Sequence, residues 1–149
     1  MDTILAHLIA QQPAIVRFIR QLVECESPSG DAEAMGRMSD LLASAVAGLG
    51  KVKAFPGGHY GPNTLIVFDL PGPRRKKSGR VLGLGHGDTV WPVGTLGTMP
   101  WREVDGRLYG PGVFDMKAGL AFFIAAMQLL RNLDLPVRRE VALWVVSDE

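Results

Sequence analysis

The 149 residues carry 16 Lys and Arg against 15 Asp and Glu, a net charge of +1, with 47% apolar side chains. That balance suits one soluble globular domain with a real core and excludes a disordered or fibrous chain. Neither charge sign dominates, so composition points to no nucleic acid and no membrane surface as partner.

The opening stretch, MDTILAHLIAQQPAIVRF, lacks the basic leader, unbroken apolar core and small-residue cleavage site of a signal peptide. No uninterrupted apolar run approaches the roughly 20 residues of a spanning helix. Cys25 is the single cysteine, so no internal disulfide forms, and the thiol reads as a small apolar filler. The expected compartment is cytoplasmic.

Ile15, Phe18, Ile19 and Leu22 recur at helical spacing, and Pro13 suits a first turn, which predicts a helix from about Pro13 to Val23. SPSGD breaks it. Met35, Met38, Leu41, Leu42, Ala45, Val46 and Leu49 predict a second helix, with Gly50 placed to end it in a left-handed conformation. Its methionines read as core fillers.

The period then changes. KVKAF, TLIVFDL and RVLGLG read as strands separated by turn chemistry. The basic cluster Arg74 to Lys77 lies between a Pro-Gly-Pro turn and a strand, without aromatic residues among the charges, and reads as a solvated loop. DGRLYG predicts a hairpin or tight turn, the run from Met116 a buried helix, and EVALWVV a strand buried on both faces. The order predicts an α/β fold with a central mixed sheet flanked by helices on both sides. The chain stops at Ser147-Asp148-Glu149, just after a buried strand and where such folds build sites, and so reads as a fragment.

Three polar clusters follow these segments. His86 and Asp88 lie two apart after VLGLG, so their side chains project to one side while Gly87 leaves space. A carboxylate accepting the second ring N–H of a histidine fixes its tautomer as a metal ligand, although an isolated H-x-D reads equally well as incidental. Asp115 follows Gly110-Pro111-Gly112 and either bridges two metal ions or caps the next helix. Asp148 and Glu149 form the third cluster, in which Glu149 suits a general base and the competing reading is a surface acidic pair. Imidazole and carboxylates together suit zinc.

GHGDTVWPVGT, GRLYGPGVFDMKAG and VVSDE, in this order and spacing, resemble the di-zinc peptidase and amidohydrolase family of glutamate carboxypeptidases, acetylornithine deacetylases, aminoacylases and succinyl-diaminopimelate desuccinylases. LVECESPSGD resembles that family's opening helix and turn, and DTVWPVGT is most similar to its glutamate carboxypeptidase branch. The resemblance implies His86 and Asp115 as metal ligands, Asp88 as orienter of His86, and Glu149 as the base that takes a proton from an activated water. It implies two zinc ions per complete site, with cobalt or manganese as alternatives. The substrate would be a small peptide or N-acyl amino acid, cut at an amide bond beside a carboxyl-terminal glutamate or a related residue. Residues 1–149 would be the amino-terminal portion of the catalytic domain, without the lid and dimerisation domain through which the full-length protein forms a homodimer. The alternative is a non-catalytic fragment lacking the remaining metal ligands.

Overall fold

The computed structural model describes residues 3–73 and 79–149; the basic cluster Arg74 to Lys77 lies outside the described residues. Helix α1 spans Thr3–Glu24 and so begins well before Pro13, which sits inside it. Proline there has no N–H for the carbonyl of Ile9 and crowds that turn. Residues 8–13 are all exposed, so solvent can meet the freed carbonyl and the helix continues. Only its carboxyl-terminal half carries the buried residues Ile19, Leu22 and Val23.

Helix α2, Ala32–Ala45, is capped by Asp31, whose side chain accepts the N–H of Ala34 at 2.9 Å. The helix ends earlier than the apolar pattern predicts. Gly48, with φ of +74°, takes the left-handed position expected of Gly50, and Gly50 opens the first strand. The predicted register ran too far because Val46 and Leu49 are buried while the chain turns.

The main sheet has four strands in the order β1 (Gly50–Phe55), β2 (Asn63–Phe68), β6 (Glu140–Val146), β3 (Arg80–His86). The first two contacts are antiparallel, whereas β3 and β6 run parallel with Arg80 opposite Glu140 and His86 opposite Val146. Between those parallel strands the chain makes a small hairpin, β4 (Arg102–Val104) and β5 (Arg107–Tyr109), turning at Asp105-Gly106 as predicted. Helix α3, Ala118–Asn132, then completes the crossover.

Ile66, Phe68, Val141, Leu143 and Val145 pack with Leu22, Met38, Leu42, Leu120 and Ile124 in one core. Ile66 pairs with Leu143, so these strand residues share a face, and the three helices supply the other side of that core. The opposite face is more open than expected: Leu82 and Leu84, paired with Ala142 and Trp144, are 58% and 69% exposed. Residues Val113–Asn132 have the length and apolarity to cross a membrane, a test that a core helix also passes. Here α3 buries Leu120, Ala121, Ile124 and Met127 in the core.

Candidate metal centre

The parallel pair β3 and β6 brings two polar ends together. His86 is the last residue of β3, Glu149 lies just beyond β6, and the N–H of Gly87 donates to the carbonyl of Val146 at 3.0 Å to continue the pairing. The carboxyl ends of adjacent parallel strands are where open α/β sheets form ligand crevices. Asp115 arrives from the turn before α3. There Gly112, at φ +67°, lets the chain pass Thr89 so closely that a Cβ would stand 2.4 Å from its methyl group. The N-cap position of α3 is Lys117 rather than Asp115, and no side chain caps it; the Asp115 carboxylate instead faces His86.

The result is a cluster of one imidazole and two carboxylates whose donor atoms all lie within 4.8 Å of one another. His86 Nε2 is 3.1 Å from Asp115 Oδ1 and 3.0 Å from Glu149 Oε2. Its Nδ1 is 3.1 Å from the backbone carbonyl of Asp88, which can only accept, so Nδ1 is the ring nitrogen that carries the proton. In the neutral ring Nε2 is then a bare lone pair pointed at two carboxylate oxygens. Three electron-rich atoms aimed at one point repel unless a cation sits between them or the ring takes a second proton. His86 is 7% exposed, while the side chains of Asp115 and Glu149 are open to solvent, which leaves one side of the group accessible.

Beneath it, Asp88 is 1% exposed. One carboxylate oxygen accepts the hydroxyl of Ser29 at 2.5 Å; the other has no hydrogen-bond partner among the described residues and stands 3.5 Å from His86 Nδ1. The short contact to His86 therefore runs through the backbone carbonyl of Asp88, with the carboxylate beside it. Lys117 is also 1% exposed and donates from Nζ to the carbonyl of Cys25 at 2.9 Å. Burial pushes its ammonium down to about 8, against the opposing influence of the neighbouring Cys25, Glu26 and Asp88.

Of the sequence candidates, the structure brings His86, Asp115 and Glu149 together with Asp88 behind them; Asp148 is exposed and outside the group. Sequence reasoning missed three contributors. Glu26 and Ser29 lie in LVECESPSGD, read as a helix, its break and a family resemblance without a role for either residue, and Lys117 sits at the start of an apolar run. The signal available was the density of polar residues in ESPSGD, more than a helix break requires.

Residues 83–149 match the family profile described as Peptidase family M20/M25/M40. The chain is 31% identical over 124 residues to carboxypeptidase G2 of Pseudomonas sp. (strain RS-16), which covers 82% of this chain and 29% of that protein. It is 32% identical over 144 residues to succinyl-diaminopimelate desuccinylase of Rhodospirillum centenum, covering 92% of this chain and 36% of that protein. The chain thus spans about a third of the length of the curated relatives it matches. Among solved structures, human carnosine dipeptidase 1 superposes with a TM-score of 0.78 at 20% identity, over 97% of this chain and 34% of that one, which shows a shared fold.

Proposed function

Starting from a chain that carries a domain of peptidase family M20/M25/M40, we propose that the protein is a zinc-dependent hydrolase of amide bonds in small peptides or N-acyl amino acids. The observation that carries this reading is the lone pair of His86 Nε2 facing the oxygens of Asp115 and Glu149, a donor set that fits a divalent cation. Bound zinc would supply a Lewis acid that polarises the amide carbonyl and acidifies water. His86 and Asp115 would hold the metal; Asp88 fixes the ring through its carbonyl and adds negative charge beside Nδ1. Glu149, exposed and on the same cleft, takes the proton of the attacking water and returns it to the leaving amine.

Asp115, with a second carboxylate oxygen, would also serve a second ion, and the remaining donors would come from outside these residues, which we read as the amino-terminal portion of the catalytic domain. Similarity to a carboxypeptidase supports release of a carboxyl-terminal residue, for which the resemblance of DTVWPVGT suggests glutamate, and a desuccinylase at comparable identity makes a succinyl amide the competing substrate. The reading includes a cytoplasmic location, which the single cysteine suits, and a homodimer at full length.

The test is hydrolysis of N-acyl-glutamate by the purified zinc-loaded protein. Chelation and Glu149→Gln are each expected to remove turnover, the substitution by about 100-fold or more. The second reading, a non-catalytic fragment, rests on the described residues bringing only three donors together; the absence of both tight zinc binding and turnover in the 149-residue chain would favour it.

A further inference from the structure

The connection from β1 to β2, residues 56–62, closes around the end of β6. The antiparallel ladder of β2 with β6 stops at Thr64 opposite Val145. One residue further on, the side chain of Asn63 takes it over, its Oδ1 accepting the N–H of Ser147 at 3.2 Å. Ser147 is 0% exposed, and its Oγ donates to the carbonyl of Gly61 at 3.2 Å. A Cβ on Gly57 would strike that same carbonyl and stand 3.0 Å from Ser147 Oγ, so glycine there leaves the hydroxyl its acceptor. Thr64, next in the chain, donates to Ser39 Oγ on α2 at 2.8 Å, which holds Asn63 from behind. On the other flank of β6 the N–H of Gly87 already grips the carbonyl of Val146.

A buried hydroxyl and a side-chain amide at the end of an apolar strand call for a reason, because an apolar residue would fill the same space with no polar group to satisfy. Glu149 supplies one. Its side chain is 62% exposed, so packing does little to place the carboxylate 3.0 Å from His86 Nε2. The backbone that carries it lies past the last pairs of both ladders, Thr64 with Val145 and His86 with Val146. Bonds from Gly87 on one side and to Asn63 and Gly61 on the other fix its path.

We propose that Asn63 and Ser147 are positioning residues for the base, a latch between residues 56–63 and the end of β6 that sets where the Glu149 carboxylate stands relative to His86. The proposal rests on the amide-hydrolase reading, with Glu149 as its base. Both side chains act at a distance, through the backbone between Ser147 and Glu149. A reacting group displaced by about 1 Å can lose about 100-fold in rate while substrate still binds, so the latch belongs to kcat rather than to KM.

The experiment compares the zinc-loaded full-length protein, acting on N-acetyl-glutamate, with three variants. Asn63→Leu keeps the size of the side chain without the acceptor, Asn63→Asp keeps an acceptor oxygen, and Ser147→Ala removes the hydroxyl alone. With KM held within about twofold, kcat is expected to fall about 10- to 100-fold in Asn63→Leu and about tenfold in Ser147→Ala, and to return to within about threefold of the parent in Asn63→Asp. Zinc affinity, read by competition titration, is expected to stay at the parent value in all three, because His86 and Asp115 keep their places. Hydrogen exchange at the Ser147 amide is expected to quicken about tenfold in Asn63→Leu and to keep the parent rate in Asn63→Asp. Exchange needs no turnover, so a parent without turnover sinks the hydrolase reading alone. If Asn63→Leu does not fold, Ser147→Ala decides by the same split between kcat and KM. The latch is overturned by unchanged kcat in Asn63→Leu and Ser147→Ala, by KM or zinc affinity worsening in step with kcat, by Asn63→Asp doing no better than Asn63→Leu, or by unchanged exchange at Ser147 in Asn63→Leu.

Discussion

Asp88 keeps a carboxylate in the interior with only one of its oxygens hydrogen-bonded, an arrangement that costs stability unless the charge serves the ring beside it. If that service is orientation of His86, Asp88→Asn weakens zinc binding about 10- to 100-fold. Competition titration against a chromophoric chelator reads this directly, and an unaltered affinity would remove Asp88 from the metal's support. Cys25 makes the opposite case, a titratable group kept neutral. Burial pushes its thiol above the ordinary value, against the Lys117 ammonium and the Arg37 guanidinium. A folded-state pKa above the unfolded one contributes stability that is complete below the unfolded value, near 9.0, and lost as pH rises through the folded value. Alkylation of the native protein by iodoacetamide at pH 8 is accordingly expected to be at least about tenfold slower than in urea. Glu26 runs the other way. Burial raises its carboxyl, but the N–H groups of Gly94 and Leu96, with Lys117, outweigh that and hold it below 4.5. Its grip on those two N–H groups is therefore complete above 4.5 and lost as pH falls through the lower folded value. His86, Asp115 and Glu149 stood out as candidates in the sequence through the family resemblance of their motifs, since local chemistry alone left each with a competing structural reading. Lys117 did not, since a buried ammonium leaves no mark in an apolar run.

The turn from Gly110 to Lys117 decides where Asp115 points, and its tightest place is Gly112. Alanine there would meet both a left-handed backbone and the methyl of Thr89, so Gly112→Ala is expected to destabilise the fold by about 1–3 kcal/mol, read from the denaturant midpoint. A midpoint unchanged within error would mean that the turn relaxes freely, and the placement of Asp115 would lose its rigid support. Strands and hairpin were readable from the change of period after Gly50 and from the turn residues between runs. Element ends were harder to read. Pro13 looked like a helix start because local chemistry allows it there, and only its exposed setting within α1 explains why the helix tolerates it. Gly48 and Gly50 were indistinguishable without the path of the chain between them.

At the scale of the molecule the sheet is one-sided among the described residues, with Leu82 and Leu84 on the face away from the core helices. An exposed apolar strip of this kind drives association. The 149-residue chain on its own is expected to self-associate in light scattering, and Leu82→Thr with Leu84→Thr to shift it towards monomer; a parent that stays monomeric across concentration would count against an uncovered face. An open apolar face was expected of this chain, but its place on β3 was not legible, because an alternating apolar strand looks the same whether or not something lies over it.

The parallel pairing of β3 with β6 carries a kinetic consequence. Arg80 and Glu140 meet across 60 residues, and closing a loop of that length costs about 4 kcal/mol of chain entropy before the strands return anything. Contacts so distant in sequence slow folding, so His86 and Glu149 should meet only near the native end of the reaction. A refolding chain would acquire its helices in the earliest phase and its affinity for zinc in the last.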